Sequence, residues 1–292
     1  MPPRSAKRDC TCRLDLSEAR PDNKELPYTA ARQPLDTVNS LIPLNSLDFF
    51  KIRQPSCPTA SYSFRGKIKI EMTDSERFAK IVVMRHSIRL DRDIDAGWED
   101  KDSRPYDSPI RCFELPKLQG VKLSKHGITK IVCSPFRRCI QTAAIVGKEI
   151  GISELSIDLN FGEQMEQVRR ANQARGAVDA EMSLTYLTEP QMLSTIRDLN
   201  PDMRISCITG STPQYDESLI GSYTRFSRNF DRLQLEFPGD VLLVVTHGGC
   251  VDAVAQAKGF TAFEVCECGF IAVDDDGEIL DLDGVQLLKG ML

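Results

Sequence analysis

The stretch "KIVVMRHSIRLDR", residues 80–92, decides how the chain is read. A short, β-branched apolar run stops at an arginine–histidine pair, and charge follows. A near-continuous run of this length suits a strand buried on both faces of a parallel sheet. The chain has three histidines in 292 residues, so one placed directly at a strand end asks for an explanation. Two further runs have the same form. "ITKIVCS" (128–134) leads into "SPFRRC", which supplies Arg137 and Arg138, and "DVLLVVT" (240–246) leads into "THGG", which supplies His247.

Helical patterns lie between these runs. "FRRCIQTAAIVGKEIG" (136–151) carries apolar residues at helical spacing and ends on Gly151, a suitable C-cap. "EPQMLSTIRDLN" (189–200) stops before Pro201. "DESLIGSYTRFSRNFDRLQLEF" (216–237) is amphipathic and stops before Pro238 and Gly239. Strands alternating with helices predict an α/β domain in three layers, a mostly parallel central sheet flanked by helices. Near the end, "GFIAVDDDGEILDLDG" (269–284) sets an Asp-Gly turn between two alternating runs and reads as a hairpin at the sheet edge. Residues 1–75 read differently. They hold scattered charge, many prolines and short apolar snatches such as "SLIPLNSLDFF", with no lasting period. This segment is expected to be an irregular N-terminal extension, with one strand over "SYSFRGKIKIEM" (61–72) at its boundary. The compact domain is expected over 76–292.

Composition removes several classes of function. The apolar share is 41%, the charged share 27% and the formal net charge −5, so the chain as a whole is no basic nucleic-acid binder. No apolar stretch approaches the roughly 20 residues that span a bilayer, and no apolar core near the start reads as a secretory signal. The expectation is a cytoplasmic protein with reduced thiols. Of its ten cysteines, Cys10/Cys12 and Cys266/Cys268 form C-x-C pairs, which lack the usual zinc spacing. Cys133, Cys139 and Cys250 sit in apolar runs and read as small core residues. No metal and no cofactor are expected.

In open α/β sheets, sites form beyond the carboxyl ends of strands. Three strand ends here bring two histidines and several arginines toward one crevice. That set suits a phosphoryl group: arginine forks match its oxygens in pairs, and a histidine among them can attack phosphorus. His126, in "SKHGITK", reads as an ordinary loop residue, and Arg137 as a solvent-facing one.

In these pieces the chain resembles the histidine phosphatase superfamily, also called phosphoglycerate mutase-like. The likeness rests on "RHS", "SPFRRCIQTA", "FGEQM" and "THGG" taken in order, and runs from about residue 79 to 275. Within that superfamily, "MRHSIRLD", "SPFRRCIQTA", "STPQYDES" and "LLVVTHGGCVD" are similar to the Sts/TULA-type phosphatases and their plant and protist relatives. The resemblance implies that His86 is the nucleophile and becomes phosphohistidine. It implies that Arg85, Arg89 and Arg138 hold the phosphoryl oxygens and that His247 donates to them. It implies that Glu163, or else Glu166, protonates the leaving group and then activates water. Position 87 departs from the family pattern. Ser87 stands where glycine is usual, and its hydroxyl is expected either to reach the phosphate or to crowd the pocket and slow the reaction.

The activity implied is metal-independent hydrolysis of a phosphomonoester, on a small molecule or a phosphoprotein. A second reading is a weak or inactive family member that works as a binding or assembly module, with a protein partner through the N-terminal extension. A third is a phosphoglycerate mutase. The segment 164–216 is expected to cover the pocket, and its Arg169, Arg170 and Arg175 would favour an acidic substrate.

Overall fold

The three apolar runs lie side by side at the centre of one sheet. The structure, a computed structural model, describes residues 79–93, 96–173 and 184–289. The expected N-terminal extension and the strand expected over 61–72 lie outside these residues. The strands are β1 (Ile81–Arg85), β2 (Lys130–Cys133), β3 (Glu154–Asp158), β4 (Arg204–Thr209), β5 (Leu242–Thr246), β6 (Phe260–Val273) and β7 (Ile279–Lys289). The helices are α1 (Glu114–Leu123), α2 (Arg137–Ile150), α3 (Met165–Gln173), α4 (Glu189–Arg197), α5 (Leu219–Glu236) and α6 (Gly248–Ala257).

Among the described residues the sheet has seven strands in the order β4-β3-β2-β5-β1-β6-β7. The first five are mutually parallel, while β6 runs antiparallel to β1 and to β7. The expected three-layer, mostly parallel architecture is therefore present. The hairpin lies at the edge as expected, but its strands extend well beyond the sequence pattern that announced them.

Alternation along the central strands explains the layers. Val82, Met84, Ile131, Cys133, Leu243 and Val245 join Ile140, Ala143, Met192 and Ile196 in one core under α2 and α4. Their neighbours Ile81, Val83, Val132, Leu242 and Val244 join Phe226, Leu233, Val251 and Val254 in a second core under α5 and α6. Both faces are covered, which is why these strands read as unbroken apolar runs. Helix α2 ends on Gly151 at φ 76°, a left-handed cap conformation that a side chain resists. The helix expected over 189–200 stops at Arg197, three residues early.

The segment expected to cover the pocket serves the scaffold for much of its length. It contains β4 at the sheet edge and α4, whose Met192 and Ile196 fill the first core. Leu243 pairs with Val82 on one side and Ile131 on the other and is fully buried. Leu243→Ala should cost about 2–5 kcal/mol of unfolding free energy in urea titration, with its transition slope unchanged.

Candidate active site

Three strand ends and one loop build the site. His86 follows β1 directly. Its N–H donates to the Thr246 carbonyl (2.9 Å), and its own carbonyl accepts from the Cys268 N–H (3.2 Å), so neighbouring strands hold it on both sides. Cys268 has φ 59°, the one left-handed non-glycine among the described residues. It sits where the β6–β7 register shifts between Val265 and Phe270, so the irregularity turns a backbone donor onto the histidine. Arg138 is the second residue of α2, after β2. No side chain of the N-cap residue, Phe136, caps that helix. Instead Asp107 Oδ1 accepts from the Arg137 N–H at 2.7 Å. His247 is the N-cap of α6, after β5. Glu163 stands on the loop between β3 and α3, just past a 3₁₀ turn over Leu159–Phe161.

These residues meet. The rings of His86 and His247 are 5.4 Å apart and nearly perpendicular. Glu163 Oε2 lies 3.1 Å from His247 Nδ1 and accepts from Arg138 Nη2 at 3.1 Å. Arg138 Nη2 is 3.3 Å from His247 Nδ1, and Nη1 donates to the Tyr106 carbonyl at 2.9 Å. Ser134 Oγ lies 2.9 Å from His247 Nε2. His86, Arg138 and His247 are buried.

Hydrogen bonding fixes the histidine tautomers. His86 Nδ1 lies 2.7 Å from the Ser87 carbonyl. A carbonyl only accepts, so Nδ1 carries the proton and Nε2 keeps its lone pair. For His247, Nδ1–H donates to the Glu163 carboxylate and Nε2 accepts from Ser134. Burial, then Arg138, His247 and Arg85 push His86 well below the ordinary histidine range, against the pull of its Ser87 bond. Burial also lowers His247, to about 4, with Arg138 adding to the effect and Glu163 opposing it. Burial alone would raise the Glu163 carboxyl, but His247, Arg138 and His86 together outweigh it and hold it well below the usual carboxylate range. Near neutral pH the site therefore holds neutral imidazoles, an ionised carboxylate and a buried guanidinium.

The other predicted residues fall differently. Arg85 donates to the Val265 carbonyl and pairs with Glu267 at 3.3 Å, beside His86. Arg89 forms a fork with Asp91 (Nε to Oδ1 2.9 Å) at the site's edge. Both are paired with carboxylates beside the cluster. Glu166 is on α3 and pairs with Arg170, so Glu163 is the carboxylate of the cluster. Ser87 has its hydroxyl engaged by backbone rather than left free to reach a phosphate. Its Oγ donates to the Cys112 carbonyl (2.9 Å) and its N–H to Thr142 Oγ1 (3.0 Å), and its φ is not left-handed. Arg137 is not solvent-facing, because it pairs with Asp100 at 2.5 Å. Arg169 donates to the carbonyls of Tyr215 and Glu217 (3.2 Å to the latter), and Arg175 lies outside the described residues. His126 bonds Asp281 at 3.0 Å, far from the cluster in role. Cys139 packs on His247, and burial pushes its thiol up to about 12, so it is an inert core residue.

Several site residues gave no sequence signal. Ser134 and Phe136 belong to "SPFRRC", but nothing there says that Ser134 meets His247 or that the Phe136 ring packs 5.0 Å from His247 and 4.4 Å from the Arg138 guanidinium. Asp107 and Arg225 act across 30 and more than 60 residues of chain. A groove of about 480 Å³ adjoins the cluster, lined by Gln164, Gln167, Tyr223, Gly248, Asp252 and Val265 among others.

One ligand atom each from His86, Glu163 and His247 lies within 4.8 Å of the others. Arg138 stands beside that set, bonded to Glu163, and its fixed positive charge opposes a cation and favours an anion. The donor set is that of an oxyanion site.

Residues 117–263, half of the chain, match the model of the histidine phosphatase superfamily, branch 1. The chain belongs to the histidine phosphatase superfamily. The matched span includes Arg138, Glu163 and His247 and begins after His86. Among solved structures, the chain is similar to the ecdysone phosphate phosphatase of Bombix mori in complex with tungstate (15% identity, 70% of this chain and 91% of that one, TM-score 0.46). It is also similar to a putative alpha-ribazole-5'-P phosphatase of Escherichia coli (14%, 73% and 98%, 0.41). A third is the phosphoserine phosphatase of Entamoeba histolytica (12%, 73% and 98%, 0.39). No curated protein matches the chain. No helix among the described residues is long and apolar enough to cross a membrane.

Two outcomes follow from this superfamily site. The lowered histidine and carboxyl pKa values mean that the unfolded chain binds more protons than the folded one in mild acid. The His247 contribution is fully present above pH 6.5 and is lost as pH falls through about 4, so stability should fall by about 3 kcal/mol across that window. His247→Gln should flatten that slope in urea denaturation measured pH by pH. Because the Ser87 hydroxyl points to Cys112, Ser87→Gly should leave turnover within about threefold while costing about 1–3 kcal/mol for the unpaired carbonyl. Steady-state assays and denaturation of the same preparation check both halves.

Proposed function

We propose that the protein is a metal-independent phosphatase that hydrolyses a phosphomonoester through phosphohistidine on His86. The observation that carries this reading is the His86 Nδ1–H···O=C bond to Ser87, which leaves a neutral Nε2 lone pair beside the buried Arg138. In the first step Nε2 attacks phosphorus and the bond to the ester oxygen breaks. The leaving oxygen takes a proton from Glu163. In the second step Glu163, now a carboxylate, accepts a proton from water. The water oxygen attacks phosphorus, the P–N bond breaks, and inorganic phosphate leaves with His86 neutral again. Arg138 offsets the charge on the phosphoryl oxygens throughout, a task of positioning and electrostatics. Arg85 and Arg89 join when the anion draws them from Glu267 and Asp91.

With its pKa held low, Glu163 is ionised near neutral pH, so its acid form must arise on binding. A phosphomonoester brings about −1.5 to −2 charges and has a second pKa near 6. Placed against the carboxylate, that charge raises the carboxyl pKa, and one proton is shared between substrate and Glu163. Within the superfamily we place the chain nearest the Sts/TULA-type phosphatases, on the strength of "SPFRRCIQTA" and "LLVVTHGGCVD". We assign catalysis to residues 76–292. A leaving group that reaches the adjoining groove meets Gln164, Gln167 and Tyr223.

The test is phosphate release from p-nitrophenyl phosphate in EDTA. Wild type should turn over, and His86→Ala should lose at least about a thousandfold. kcat/KM should decline as pH rises past about 6, where the free phosphomonoester loses the proton it would bring to Glu163. Folded wild type with no turnover at any pH would assign the chain to the binding-module reading instead.

A further inference from the structure

We propose that Arg225 is a positioning residue for Glu163: reaching from α5, it fixes the loop that holds the carboxylate against His247 and Arg138. The inference rests on the reading of Glu163 as the acid and base of the reaction, and goes beyond it.

The loop between β3 and α3 presents four successive carbonyls, Asn160 to Glu163, outside any ladder. Buried carbonyls left without donors would be costly, and here two side chains take all four. Arg225 Nη1 donates to Asn160 O and to Gly162 O (3.0 Å), and Nη2 to Glu163 O (3.2 Å). Thr246, the residue before His247, donates its Oγ1 to Phe161 O at 3.1 Å. The loop is therefore pinned from the sheet by the strand that delivers His247, and from above by α5.

Arg225 is itself held. Glu217 accepts from Nε at 2.9 Å and from Nη2 at 2.8 Å, and Ser222 Oγ donates to the same carboxylate at 2.8 Å. The guanidinium packs 4.6 Å from the Phe226 ring. Arg169 on α3 donates to the Glu217 carbonyl at 3.2 Å, which ties the far end of the same loop to this clamp. One planar group with five donors reaches three carbonyls and a carboxylate at once, and an ammonium has neither the number nor the spread. The guanidinium faces backbone, so it acts on the reaction only through where Glu163 stands. The Glu163–His247 contact is 3.1 Å. A displacement of the loop by about 1 Å takes that pair out of hydrogen-bond range.

The experiment compares wild type with Arg225→Met and Arg225→Lys on two esters. p-Nitrophenolate leaves without a proton, whereas phenolate needs one. In Arg225→Met, kcat/KM should fall about a hundredfold on phenyl phosphate and less than about tenfold on p-nitrophenyl phosphate. Arg225→Lys should lie between. Equal losses on both esters, or none, would overturn the inference, because a general loosening of the fold does not discriminate leaving groups. The second readout does not need activity. In protein labelled with ¹³C at glutamate carboxyls, the Glu163 resonance should titrate at higher pH in Arg225→Met than in wild type. An unmoved titration refutes the role. Wild type inert toward both esters would refute the phosphatase reading, and the carboxyl titration would still decide on Arg225. If Arg225→Met does not fold, Glu217→Gln removes the counter-charge while keeping the shape, and the same shift in smaller degree is expected.

Discussion

The burial of the Arg138 guanidinium is the constraint around which this molecule is organised. A charge taken wholly out of water costs several kcal/mol unless it is paired and hydrogen-bonded. The position is locally unfavourable as well, since a cation in the first turn of a helix opposes the helix dipole. The surroundings offset both penalties. Glu163 and the Tyr106 carbonyl accept its protons, and the Phe136 ring lies against it. Asp107 adds a negative charge at the same helix end and takes the Arg137 N–H. Burial raises the Asp107 carboxyl, while Arg138 and Arg137 pull it back. A sequence that violates a local rule and then compensates for it from four directions is most economically read as preserving a function.

The same charge sets the state of everything near it. It helps keep both imidazoles unprotonated and the carboxylate ionised, so the cluster is close to electrically balanced. Glu163 is the balancing group. In the proposed reaction an incoming phosphoryl dianion takes over that role at Arg138, and the displaced carboxyl gains the proton that the leaving group needs. One residue then serves first as counter-ion to Arg138 and, once substrate binds, as acid. This is why its place must be held by backbone rather than by its ion pair, which the substrate dissolves. The clamp of Arg225 and Thr246 on the loop carbonyls meets that requirement, because it does not touch the carboxylate at all.

Much of this was legible in the sequence where one local pattern carried the signal. The central strands were visible because burial on both faces leaves no polar residue inside them, and α2 because its apolar stripe ends on Gly151. Strands β3 ("ELSID") and β4 ("RISCIT") carry no such signal, because they lie toward the edge and mix serine and charge with apolar residues. Helix α1 was hidden by Pro116 and Gly120 within "ELPKLQGVKL". Gly120 is there for contact rather than for helix formation, since a Cβ would come within 2.7 Å of Glu149 Cβ on α2. Propensity was overridden by packing at each of these points.

The site divides along the same line. His86, Arg138 and His247 stand at the ends of strands, so the strand pattern located them, and Glu163 followed from a motif. Ser87 shows where one-dimensional reading failed: its residue type suggested a pocket group, but its hydroxyl direction is set by Cys112, which is 25 residues away. Arg225 is a stronger case. In sequence it is one more arginine on the polar side of an amphipathic helix, where a solvated charge is the ordinary expectation. Only the sheet order brings α5 over the loop after β3, and only the loop's lack of a ladder gives an arginine three carbonyls to hold. What makes the residue matter is an unmet backbone demand elsewhere in the chain, and such a demand leaves no trace in the residues around position 225.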